Sequence, residues 1–216
     1  MRKRIETIAS MVLPSRRVID CGCDHGYVSQ LLAKRSDILK ILATDISSRS
    51  IEKVEKDPWG KIETFVADGL KNLPWDFSDS IVIAGMGGAL ILKILFEGQN
   101  LAITAKQWIL GGHSHVEILR RAFFQDLYDE KLVFEEGHFY ELLEIRPGGH
   151  FFDHITEEDE FFGPLLLRRR DPLLKERLFF EKKKLEYILS KARQGRVLPL
   201  DLEKKYRMVC ERLESW

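Results

Sequence analysis

The stretch Val18-Ile19-Asp20-Cys21-Gly22-Cys23-Asp24-His25-Gly26-Tyr27 constrains this chain most. A short apolar run ends in an acid, two glycines follow four apart, and an amphipathic run carrying Val28, Leu31 and Leu32 leaves the turn. A first parallel strand turning sharply into a helix reads this way, and Asp20, Gly22 and Gly26 leave room for a nucleotide-like ligand against the backbone. Asp24 stands where the dinucleotide fingerprint would place its middle glycine. A carboxylate there repels a pyrophosphate at a cost on the order of several kcal/mol, yet it accepts hydrogen bonds from the ammonium of an amino-acid moiety. Asp24 therefore favours S-adenosylmethionine over NAD.

The same grammar recurs along the chain. A short amphipathic helix over residues 5–13 precedes the first strand, Arg17–Asp20. Further strands are expected at Ile38–Thr44, Ile62–Ala67, Ser80–Ala84 and Gln107–Leu110, with helices between them and Ser47 or Ser48 capping one. Runs at Lys131–Glu136 and Phe139–Ile145, split by Gly137-His138, read as a hairpin. These units predict an α/β fold, a Rossmann-like doubly wound sheet with an antiparallel edge hairpin, over residues 1–150. Residues 151–216 read as a helical hairpin: Leu174, Leu178, Leu185, Ile188 and Leu189 recur at helical spacing, Gln194-Gly195 and Pro199 break the pattern, and Leu202, Val209 and Leu213 resume it.

Asp45 closes the second strand where an acid receives ribose hydroxyls, and Asp68 closes the third, placed to accept from an adenine amine while Gly69 admits the ring. Gly85-Met86-Gly87-Gly88 after the fourth strand suits backbone lining a pocket for a flat substrate. Cys21, Cys23 and His25 alternate within one turn and lack the paired spacing and distant fourth ligand of a zinc site, so no metal is expected. His113-Ser114-His115 reads as structural.

Net charge is zero but uneven. Residues 1–17 hold five basic and one acidic residue (+4), residues 164–216 hold 15 basic and eight acidic (+7), and residues 18–163 carry about −11. Basic ends around an acidic body suit a polyanion, although composition alone favours plain solvation of the C-terminal helices. No apolar run approaches the roughly 20 residues that span a bilayer, so no membrane partner is expected. Three cysteines form no disulfide framework, which predicts a reducing cytoplasm. A monomer or weak dimer is expected.

The strings Val18-Ile19-Asp20, Asp24-His25-Gly26-Tyr27, Ala67-Asp68-Gly69-Leu70 and Ile81-Val82-Ile83-Ala84-Gly85-Met86-Gly87-Gly88 resemble the bacterial tRNA (adenine-N1)-methyltransferases acting on the D-arm side of tRNA. Glu130–Glu136, Tyr140–Leu143 and Phe161–Leu165, leading into a Lys-rich hairpin, extend the resemblance almost to the end. It implies a class I methyltransferase domain, S-adenosylmethionine as cofactor, and a coiled-coil-like hairpin that holds tRNA. Cofactor contacts carry over onto Asp20, Gly22, Asp24, His25, Asp45, Asp68 and Gly69, and the substrate pocket onto Gly85, Met86 and Gly87, with Asp24 or His25 near the transfer point. Arg168, Arg169, Arg170, Lys182, Lys183 and Lys184 would supply phosphate contacts. One departure lies beside that pocket: Leu110-Gly111-Gly112-His113 replaces the family's Leu-Gln-Pro. A methyltransferase for another RNA or a small molecule, and a degenerate RNA-binding protein, are the rival readings.

Overall fold

The computed structural model describes residues 3–192 and 200–216, and the chain divides into two compact units between Ile155 and Thr156. The first unit carries helix α1 (Lys3–Met11), strand β1 (Ser15–Cys21), α2 (Tyr27–Ala33), β2 (Ile38–Asp45), α3 (Ser48–Lys53), β3 (Ile62–Val66) and β4 (Ser80–Gly87). Then come α4 (Gly88–Glu97), α5 (Gln99–Ala102), β5 (Gln107–Ser114), α6 (Val116–Phe123), β6 (Leu127–Glu135) and β7 (His138–Ile145). The seven strands form one sheet in the order β3-β2-β1-β4-β5-β7-β6. β1 to β5 run parallel, and β7 and β6 close the edge as an antiparallel pair. This is the Rossmann-like methyltransferase arrangement.

The central strands are apolar throughout because helices cover both faces. Ile19, Ile41, Leu42, Ile81, Val82, Ile83, Ile109 and Leu110 are at most 1% exposed, and each such side chain contributes about 1.5–3 kcal/mol by leaving water. α1 and α2 pack Ile8, Val12 and Leu32 against one face. Two side-chain donors, one half-buried and one buried, finish α1, whose last carbonyls have no partner within the helix. Arg35 Nη1 donates to the carbonyls of Ala9 and Val12, both at 2.8 Å. Gln107 Nε2, deep in the sheet, donates to the Met11 carbonyl at 2.9 Å.

Two strands run past their expected ends. β4 continues through Gly87 with register irregularities around Met86, and β5 continues through Ser114 instead of stopping at Leu110. Glycine does not end β5 because it is demanded by its neighbours: a Cβ on Gly111 would stand 2.8 Å from the Ala84 Cβ and 3.1 Å from Leu142. β6 also begins four residues earlier than expected, at Leu127.

The second unit holds α7 (Glu157–Phe162), α8 (Pro164–Arg168), α9 (Pro172–Ala192) and α10 (Leu200–Glu214). Thr156 starts α7 with a capping box: its hydroxyl accepts from the Asp159 N–H at 3.1 Å, and its own N–H donates to the Asp159 carboxylate at 2.8 Å. Leu174, Leu178, Leu185 and Leu189 of α9 are buried, as is Val209 of α10. Lys205 pairs with Glu181 at 2.6 Å, tying α10 to α9. The break expected at Gln194-Gly195 and Pro199 lies outside the described residues.

Candidate active site

Parallel strands of an open sheet leave a crevice at their C-terminal ends where the strand order reverses. Here the reversal falls between β1 and β4. β1 ends at Cys21, and the turn after it is tied to β2 by the N–H groups of Gly22 and Cys23, which donate to the Thr44 carbonyl at 2.8 and 2.9 Å. Gly22 has φ +75°, and a Cβ there would stand 2.0 Å from Cε of Met86. The turn must therefore pass close over a side chain sent from β4.

Three clefts meet along this edge. A narrow slot of about 140 Å³ lies between Cys21, Gly22, Asp45, Asp68, Gly69 and Met86. A cleft of about 450 Å³ is lined by Asp20, Gly22, Asp24, His25, Tyr27 and Gly85, among others. A third, of about 390 Å³, is lined by Arg4, Gly85, His113, His138, Phe139 and Tyr140. Gly22 joins the first two, and Gly85 joins the second to the third. Gly85 has φ +82°, and a Cβ built on it meets nothing within 4 Å, so this irregular point of β4 faces open space.

The four acids expected at the strand ends do different things. Asp20 is only 4% exposed, and one of its carboxylate oxygens accepts both the Ser29 N–H (3.1 Å) and the Ser29 hydroxyl (2.6 Å). Burial pushes its pKa up to about 6 despite those bonds. Asp20 thus holds the start of α2 while lining the larger cleft. Asp45 accepts the Asp24 N–H at 3.1 Å on one oxygen and the Ser47 N–H at 2.8 Å on the other. Each oxygen keeps a lone pair for a hydroxyl donor. Asp24 is an exposed residue with φ +48°, its carboxylate 3.8 Å from Nε2 of His25, whose ring stacks on Tyr27 at 5.4 Å. Asp68 is exposed and held by Lys71 at 2.8 Å, a contact that keeps its carboxyl below the usual carboxylate range.

Three expected roles move. Gly87, expected in the substrate pocket, lines none of the three clefts and packs beside β5, where a Cβ on it would stand 3.0 Å from the Ser114 hydroxyl. Gly26 lines none of the three clefts; its α2-capping turn packs on Val54, 2.8 Å from where a Cβ would lie. Met86 lines the slot on the Gly22 side and not the cleft beyond Gly85, because the irregular register at Met86 turns its side chain under the β1 turn. His113, read from sequence as structural, instead lines the third cleft. Arg4, His138, Phe139 and Tyr140 were not expected there at all. No local motif marks them; only the strand order β5-β7 and the packing of α1 bring them beside Gly85. In the second unit, Arg168 ends α8, Arg169 and Arg170 follow it exposed, and Lys183 and Lys184 are exposed on α9 with Lys182 half-buried. The six basic residues thus span two helices and the turn between them.

Among the described residues, no cluster of three or more His, Cys, Asp or Glu is placed to hold a metal ion, and no helix is long and apolar enough to cross a membrane.

A methyltransferase-domain family profile matches residues 1–143. The chain is 32% identical over 183 residues to a provisionally named tRNA methyltransferase of Mycoplasma genitalium, covering 79% of this chain and 81% of that protein. It is 30% identical over 182 residues to the tRNA (adenine(22)-N(1))-methyltransferase of Bacillus subtilis, covering 79% and 76%. A Streptococcus pneumoniae protein, provisionally named a tRNA (m1A22) methyltransferase and solved with S-adenosyl-L-methionine, superposes with a TM-score of 0.85 at 28% identity, covering 99% of each chain. With its strand order, its acid-tipped strands and these relatives together, the chain belongs to the class I methyltransferase family, in its bacterial tRNA (adenine-N1) branch.

Proposed function

We propose that this chain transfers the methyl group of S-adenosylmethionine to N1 of an adenine in tRNA, in the cytoplasm. Residues 1–155 act as the methyltransferase domain and residues 156–216 as the unit that holds RNA. The observation that carries the reading is the chain of clefts from Asp45 through Gly22 to Gly85, with a further cleft lined by Phe139 and Tyr140 opening beyond Gly85. The residues fit the cofactor: Gly22 and Gly69 line the slot without side chains of their own, and Asp45 beside them retains acceptor capacity for a ribose diol. The Bacillus subtilis relative's name supports adenine 22 as the target, and the pneumococcal neighbour's complex supports the cofactor.

Bound S-adenosylmethionine supplies a methyl group already activated by its sulfonium, so attack by a neutral ring nitrogen needs no strong base beforehand. The chain's own contribution is position and charge. Asp24, with Asp20 behind it, faces the ammonium of the amino-acid moiety; Asp45 and Gly69 hold the nucleoside end in the slot. Asp68 serves there through its Lys71 pair. Gly85 offers bare backbone where the base meets the donor, and His25 sits at the rim of the same cleft. The target base is stacked in folded tRNA and must be extruded to reach Gly85.

The test is incubation with unmodified total tRNA and methyl-labelled cofactor, followed by nucleoside mapping by mass spectrometry. Label is expected in 1-methyladenosine alone. Label elsewhere, or none, overturns the reading. Asp24→Ala is expected to abolish transfer with its thermal unfolding unchanged, and an active variant removes Asp24 from the site.

A further inference from the structure

We propose that Arg4 binds a backbone phosphate of the nucleotide extruded into the cleft beyond Gly85, an assignment that rests on the tRNA methyltransferase reading. Arg4 lies in the first turn of α1, and it and Gly85 are the two residues that line both the 450 Å³ and the 390 Å³ clefts. Its guanidinium lies over the Tyr140 ring, 4.5 Å from the centroid. Stacking on a ring fixes the plane of the group, and with it the direction of its N–H donors. The main chain is held as well: the Arg4 N–H donates to Glu135 at 3.3 Å, and the far end of α1 is anchored by Arg35 and Gln107.

Two observations point to an anion. The Arg4 Nε–H is buried and has no hydrogen-bond partner among the described residues, a group of the kind that calls for an explanation such as a bound ion. A guanidinium held in this way presents a planar fork of N–H donors that grips phosphate through two parallel bonds. Charge then decides which side of Gly85 the phosphate takes. Asp20, Asp24, Asp45 and Asp68 surround the cofactor side and repel it. The cleft beyond Gly85 has no carboxylate among its described lining residues, and Arg4 is the lysine or arginine there.

The experiment compares full-length wild type with Arg4→Met, which keeps the stem on Tyr140, and Arg4→Lys, which keeps the charge. Steady-state methylation of tRNA, calorimetric affinity for S-adenosylmethionine, thermal unfolding and the salt dependence of tRNA binding are read in each. Arg4→Met is expected to lower kcat/KM for tRNA by about 10- to 100-fold, with cofactor affinity unchanged. Its plot of log affinity against log salt should be shallower by about 1, while Arg4→Lys keeps the wild-type slope and recovers part of the rate. Three results overturn the proposal: undiminished activity in Arg4→Met, a cofactor affinity that falls with the activity, or an unchanged salt slope. If Arg4→Met unfolds, Arg4→Gln takes its place with the same three overturning results. Wild type that methylates no tRNA sinks the parent reading alone, because the salt slope still reports whether Arg4 meets a phosphate.

Discussion

Asp20 carries two duties on one carboxylate. One oxygen is committed to Ser29, and burial outweighs both of those bonds and the pull toward ionisation they exert, so the pKa stands at about 6 against an ordinary 3.8. A carboxyl whose pKa rises on folding keeps its proton longer in the native state than in the unfolded chain. Its contribution to stability is therefore full below pH 3.8 and is lost as pH rises towards 6. That loss amounts to roughly 3 kcal/mol. In Asp20→Asn the amide oxygen still accepts from Ser29, and the titration disappears. Urea unfolding from pH 4 to pH 7 should show the variant gaining roughly 2 kcal/mol relative to wild type, with weaker cofactor binding; a pH-independent difference would show that Asp20 is not buried as described. The presence of acids at strand ends was legible in the sequence because parallel sheets open their crevice there. Their partners were not: Ser29 and Lys71 become partners only once α2 and the β3–β4 connection have folded back.

At the scale of elements, the edge hairpin joins the sheet through the β5–β7 ladder and is tied to α6 by one buried cation. Arg120 of α6 is 1% exposed and donates to Glu130 of β6 at 2.6 Å and to Glu141 of β7 at 2.5 Å. Because β7 also carries Tyr140 into the cleft beyond Gly85, this cluster fixes one wall of the proposed base seat. Removing the cation breaks its ion pairs to the fully buried Glu130 and to Glu141, so Arg120→Met should cost about 3–5 kcal/mol in chemical unfolding. Adding Glu130→Gln should recover part of that loss, and full recovery would mean the pair adds nothing beyond its own desolvation. The parallel strands, the hairpin and the long C-terminal helices were readable from period and punctuation. The ends of β4 and β5 were not, because glycine usually signals a stop, whereas Gly111 is there since Ala84 and Leu142 leave no room for a Cβ.

Across the whole molecule, charge separates what the units do. Residues 1–155 sum to −3 and residues 156–216 to +3, with the basic surplus of the second unit confined to residues 164–216, so the acidic catalytic body is poorly suited to attract RNA by itself. Residues 1–155 expressed alone should keep cofactor affinity within about threefold while losing most tRNA affinity and its salt dependence. Calorimetry and filter binding read the two arms, and equal losses in both would end the division of labour. The sequence by itself determined the fold class and the acid-tipped crevice, since these follow from local pattern: hydrophobic period, strand-end acids and glycine turns; its motif strings carried the resemblance that implied the family and its cofactor. The tertiary structure alone decided which side Met86 faces, that Asp20 is buried, and that Arg4, His113 and Tyr140 meet at Gly85. Those outcomes depend on strand order and register, which join residues more than a hundred positions apart and leave no trace in local spacing.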